Sequence, residues 1–112
     1  MKEIKAYVHS HRVGDVITAL KDCPAWAGPG GSGRHNLSIY VVQGSLRPLD
    51  SEEKHYSLDL GGEVVNEYKL ELLCEDDEVE ALSAAIAAAA HTGQTVAGWI
   101  TVFDVVSATP IR

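Results

Sequence analysis

Cysteine is scarce in this chain: Cys23 and Cys74 stand far apart and neither has a CxxC neighbour. That excludes a disulfide scaffold and a thiolate zinc cluster, and in a reducing compartment both are expected as free buried thiols. Basic residues are also few, 9 Lys and Arg against 16 Asp and Glu, for a net charge of −7. General nucleic-acid binding needs clustered cations to replace phosphate counterions and is therefore excluded. An anionic ligand would have to be met by local basic groups or backbone amides. No apolar run approaches the ~18 residues of a membrane-crossing helix. The opening Met1-Lys2-Glu3-Ile4-Lys5 has neither the apolar core nor the cleavage site of a signal peptide, so the expected place is the cytoplasm. With 112 residues the chain is read as a single domain, 1–112, that buries roughly two-thirds of its surface on folding.

The apolar pattern then sets the elements. Ile4, Ala6 and Val8 alternate with Lys5 and Tyr7, which predicts a half-buried strand. Val13, Val16, Ile17 and Leu20 recur at helical spacing, predicting a helix over about Arg12–Asp22 that Pro24 stops. Residues 24–36 are Gly- and Pro-rich punctuation. Leu37–Gln43 is β-branched and aromatic and reads as a second strand. Residues 44–66 are polar and turn-rich, after which Tyr68, Leu70, Leu72 and Cys74 alternate as a third strand. Asp77 and Glu80 predict a capping box for a second helix carrying Val79, Leu82, Ser83, Ile86, Ala89 and Ala90 on one stripe, with Gly93 at its end. Trp99–Val106 reads as a fourth strand. The order βαββαβ predicts an α+β ferredoxin-like plait: a four-stranded antiparallel sheet with both helices on one face. The other face, with Tyr7, Tyr40, Leu73 and Trp99 or Phe103, has no cover within the chain, which predicts a homo-oligomer.

Candidate chemistry is thin. Gly28-Pro29-Gly30-Gly31-Ser32-Gly33 matches G-x-G-x-x-G, but it follows a helix and precedes a strand, the reverse of what a dinucleotide site requires. His9 and His11 have metal-ligand spacing without a third ligand, and read better as exposed histidines at a strand-to-helix junction. Glu75-Asp76-Asp77-Glu78 is an acidic run whose place at a helix start explains it. No Ser/His/Asp or Cys/His arrangement points to catalysis. The long connection at 44–66 is the more informative feature, since long loops in compact domains serve binding or lid functions. Arg47 at its base and Arg112 at the chain end are basic groups in an acidic protein.

From His91 the chain reads His-Thr-Gly-Gln-Thr-Val-Ala-Gly-Trp-Ile-Thr-Val-Phe-Asp-Val. This resembles the B-loop of the PII signal-transduction family, Thr-Gly-Lys-Ile-Gly-Asp-Gly-Lys-Ile-Phe-Val. Met1–Ala6, Asp15-Val16 and Ala19-Leu20 resemble the first strand and helix, and Lys69–Leu72 with Asp76-Asp77 the third strand and second helix cap. The likeness covers nearly the whole chain, with an insertion in the Gly-rich stretch. It implies a homotrimer binding adenine nucleotides between subunits, and a T-loop at about 45–66 that acts on a partner protein. Thr92, Gly93 and Gly98 match the phosphate-cradling B-loop, Gly44 and Arg47 the start of the T-loop, and Arg112 a C-terminal phosphate-binding Arg.

The departures from that pattern are as informative. Trp99 and Pro110 stand where the family has cations, and Val96 and Ala97 replace a Gly-Asp pair. Pro48 and Glu67 replace the Gln and Lys that help the family bind 2-oxoglutarate with Mg-ATP, and Leu60 lies near the place of the modified T-loop Tyr. The resemblance therefore implies a divergent, non-catalytic sensor favouring AMP or ADP over ATP. The carboxysome-associated PII-like group, which senses adenine nucleotides and bicarbonate, is one such divergent set. Two rivals stand beside this reading: a metal-responsive PII-like protein using His9, His11 or acidic ligands, and a small enzyme on the same plait.

Overall fold

A computed structural model describes residues 1–26 and 34–112. The G-x-G-x-x-G pattern at 28–33 lies outside the described residues. Strand β1 (Lys2–His9) leads through a 3-10 turn at Ser10–Arg12 into helix α1 (Val13–Asp22). Then come β2 (Ser38–Gly44), β3 (Lys54–Ser57), the long β4 (Gly62–Cys74), a second 3-10 turn at Asp76–Glu78, α2 (Val79–Ala90) and β5 (Trp99–Asp104). The architecture is α+β with an antiparallel sheet. Its long strands run β2-β4-β1-β5, and β3 pairs with β4 as a fifth strand in place of the four expected.

Alternation builds the core. Ile4, Ala6 and Val8 of β1 and Leu70, Leu72 and Cys74 of β4 point to one face and meet Val16 and Leu20 of α1 and Leu82 and Ile86 of α2. Each such Leu, Ile or Val contributes about 1.5–3 kcal/mol by leaving water. The α1 stripe is the predicted one, although the helix begins at Val13 and Arg12 belongs to the 3-10 turn. The second capping box forms earlier than predicted: Glu75 and Glu78 exchange the reciprocal bonds, with Glu75 N donating to Glu78 Oε1 at 2.9 Å. Arg34 donates to both oxygens of Glu78 at 3.0 and 3.2 Å, so the turn is fixed from outside as well.

The expectation of an exposed His9 is corrected, since it is buried, and His35 is buried as well. His35 stacks on Trp26 with ring centroids 4.8 Å apart. Its Nδ1 bonds Leu73 O at 2.8 Å and its Nε2 bonds Ala25 O at 3.3 Å, so it ties the chain before β2 to the end of β4.

The connection at 45–66 carries more structure than its turn-rich composition predicts. Val65 pairs with Gly44 on one flank and Lys54 on the other, so β3 occupies the flank of β4 that β1 leaves beyond His9. The hairpin closes through Gly61, whose positive φ of 69° suits glycine and whose N–H donates to Ser57 O at 2.8 Å.

The sheet face away from the helices is uncovered in the single chain. One row across it is Trp99, Tyr7, Lys69 and Tyr40, and the next is Thr101, Lys5, Glu71 and Ser38. Lys69 Nζ lies 5.4 Å from the Tyr7 ring and 5.3 Å from the Tyr40 ring, and pairs with Glu71 at 3.3 Å. Tyr40, Trp99 and Phe103 remain substantially exposed.

Candidate functional site

At one end of the sheet, residues 45–53 fold back against two elements, the 91–98 loop and the end of β1. Gln94 makes the first connection: its Nε2 donates to Arg47 O at 3.0 Å. Thr92 Oγ1 donates to Gln94 Oε1 at 2.9 Å and accepts from Gln94 N at 3.3 Å, holding the amide in that pose. Gly93, with φ of 87°, makes the turn that lets the chain leave α2 in this direction. Between the two segments lies an open cleft of about 520 Å³ whose walls include Ser45, Arg47, Gly93, Gln94, Val96 and Trp99.

Close approach explains two further glycines. A Cβ on Gly98 would collide with the Tyr7 carbonyl, so the 91–98 loop can lie on β1 only with glycine there. A Cβ on Gly44 would collide with the Glu67 carboxylate, which lies across the end of β2. Glu67 Oε2 accepts from Leu46 N at 2.8 Å. A second anchor is deeper: His9 Nδ1 meets Glu53 Oε2 at 2.7 Å, and Glu53 Oε1 accepts from Leu49 N. Both side chains are essentially inaccessible, and His9 Nε2 is buried without a partner.

Of the residues singled out in the sequence, Arg47 and Gly93 line the cleft and Thr92 braces its Gln94 wall. Gly98 lines an adjoining cavity of about 380 Å³ with Tyr7, Ile86 and Ala90, and Gly44 stands at the foot of the 45–53 segment. Arg112 ends an exposed C-terminal strand-free stretch and is not brought to the others within one chain.

The chain is similar to a nitrogen regulatory protein P-II. That protein, from Porphyra purpurea, is 26% identical over 112 residues, which is all of this chain and 92% of the relative. The likeness supports membership of the PII family, in line with the motifs above. No family model matches the chain. No helix among the described residues is long and apolar enough to cross a membrane.

A PII-type likeness leaves the histidines to be placed. His9 and His11 do not share a site: His9 is buried against Glu53, while His11 is exposed with Nε2 3.5 Å from Asp50. Among the described residues no three His, Cys, Asp or Glu side chains converge as metal ligands. Gln94 and Glu53 shape the site and escaped the sequence reading, which also missed the burial of His9. Each acts on a segment distant in the chain, so no local pattern marks it.

Proposed function

We propose that this protein is a non-catalytic, cytoplasmic signalling sensor of the PII type. It binds an adenine nucleotide as a homotrimer and uses its 45–66 hairpin to regulate a partner protein. What carries the reading is the Gln94–Arg47 contact: it places a cationic side chain and the backbone of a glycine-containing loop on the two walls of one open cleft. Backbone amides and one Arg suit a phosphate, and Trp99 offers an aromatic wall. Gly44, Arg47, Thr92, Gly93 and Gly98 belong to this site, and Arg112 joins it from a second copy. Tyr40 and Phe103, exposed on the open sheet face, supply the subunit contact.

In this reading AMP or ADP binds better than ATP. A hydrogen bond to a charged group contributes about 1.5–3 kcal/mol, and Trp99 and Pro110 supply no charge for a terminal phosphate. The net charge of −7 opposes each added phosphate as well. Bicarbonate is the second effector to titrate with the nucleotides. Calorimetry with AMP, ADP and ATP in metal-free buffer is the test, with Arg47→Ala expected to weaken ADP more than AMP. No binding of any of the three, or ATP tenfold tighter than ADP, would sink the reading.

A further inference from the structure

Glu67 raises a separate question of charge. Its residue is 4% exposed, and its carboxylate accepts a single described hydrogen bond, from Leu46 N. Among the described residues no Lys, Arg or His nitrogen pairs with it, although Glu3, Glu63, Glu71 and Asp104 of the sheet each find such a partner. Lys69, two residues on and on the same face, is turned to Glu71 and the two tyrosine rings. Burying a carboxylate without a cation is among the more destabilising arrangements in a protein interior. Glycine at position 44 makes room for this carboxylate, since a Cβ there would collide with it.

The carboxylate is not sealed in. Glu67 lines an open pocket of about 370 Å³ together with Tyr7, Trp99 and Thr101. A carboxylate in a pocket shared with two aromatic residues is complementary to a positive charge with an apolar periphery, because aromatic faces attract cations and a desolvated carboxylate needs one. An anion would meet repulsion there.

We propose that this pocket binds a small organic cation, an alkylammonium or guanidinium group, with Glu67 as its counter-charge and Tyr7 and Trp99 as its walls. The site is built from one chain and adjoins the cleft described above, with which it shares Ser45, Leu46 and Trp99, and Gly44 of the proposed nucleotide site borders it too.

The test titrates isotope-labelled, nucleotide-free protein with methylammonium, choline and guanidinium chlorides, against sodium chloride at equal ionic strength. The reporters are the Leu46 amide, which donates to Glu67, and the Trp99 indole N–H. Saturable shifts of both with at least one organic cation are expected, and Glu67→Gln should weaken that binding at least about tenfold. Gln keeps an acceptor for Leu46 N. If that variant does not fold, Trp99→Leu at an exposed position should still weaken choline severalfold. No saturable shift, an equal response to sodium, or an unchanged affinity in the folded variants overturns the site. A Leu46 shift that follows protein concentration, vanishes in Arg112→Ala and resists competition by the small cations would assign the charge to a second copy, and likewise overturns it.

Discussion

Replacing Glu53 by Ala probes what holds the 45–53 segment down. Two donors lose their acceptor at once, the His9 ring nitrogen at 2.7 Å and the Leu49 amide. The opposite ring nitrogen of His9 is already buried without a partner, so the imidazole would be left with no hydrogen bond at all. If the segment stays closed, each stranded group costs about 1–3 kcal/mol, or roughly 2–6 kcal/mol together. If it lifts and admits water, the loss is capped by the free energy of that opening. We expect the second course, because the backbone tie here is weak: Asn66 N to Glu53 O is 3.4 Å. The measured change should then be about 1–3 kcal/mol, which for a domain of this size shifts Tm by about 4–8 °C per kcal/mol. Hydrogen exchange separates the two courses. Amides of Leu49, Asn66 and the β3–β4 hairpin should lose protection while those of β1 and α2 keep theirs. Glu53→Gln retains one acceptor oxygen for two donors and should fall between wild type and Glu53→Ala. Unchanged exchange at Leu49 and Asn66 together with an unchanged Tm would refute the anchor.

Two other outcomes follow from single contacts. The Glu71 carboxyl is held below the usual carboxylate range, first by the Tyr40 hydroxyl at 2.7 Å and then by Lys69 and Lys5. A carboxyl lowered in the folded state stabilises above its unfolded pKa, and that contribution is lost as pH falls through the lowered value. Tyr40→Phe should therefore move the Glu71 titration upward in an NMR pH series and bring acid unfolding to a higher pH; an unmoved titration would contradict the assignment. Gly98→Ala would drive a methyl into the Tyr7 carbonyl, forcing β1 and the 91–98 loop apart, and should cost about 1–3 kcal/mol in urea denaturation; a wild-type midpoint would show that the loop shifts freely.

What could be read from the sequence follows a physical division. Apolar periodicity located β1, both helices and the far half of β4, because those elements are organised by burial, and their buried residues are the predicted ones. β3 was not visible because Lys54, His55 and Tyr56 are exposed; backbone pairing to β4 makes it a strand. His9 continues the β1 alternation one step past Val8, yet both are buried, since segment 45–53 covers one side and the core the other. The shift of the capping box to Glu75 comes from a 3-10 turn that adds a step before α2. At the site, Gly93 was legible as a helix end, while Gly98 was marked only by the likeness to the B-loop, since what demands glycine there is the Tyr7 carbonyl of a distant strand. Gln94 and Glu53 were not, and Glu67 was marked only as a departure from the family pattern, because what they do is set by the segment that folds onto them.

The 45–66 segment also limits how a ligand can act on it. Ordering about twenty residues costs on the order of 20–40 kcal/mol of backbone entropy, whereas micromolar binding supplies about 8 kcal/mol. A small molecule therefore cannot order the segment by its own contacts. The chain already supplies most of what is needed: the β3–β4 ladder, the Gly61 turn and three ties at the base, Leu46 to Glu67, Arg47 to Gln94, and Glu53 to His9. A ligand need only change one of those ties. Displacing Gln94 from the Arg47 carbonyl removes about 0.5–1.5 kcal/mol, enough to change the ratio of docked to undocked base by up to about tenfold. The β3–β4 ladder keeps its own hydrogen bonds through such a step, and because β4 runs unbroken into the sheet the change falls on the base at residues 45–53. In the proposed reading the surface left for a partner is at the far end, where the apolar side chains of Tyr56, Leu58 and Leu60 are exposed.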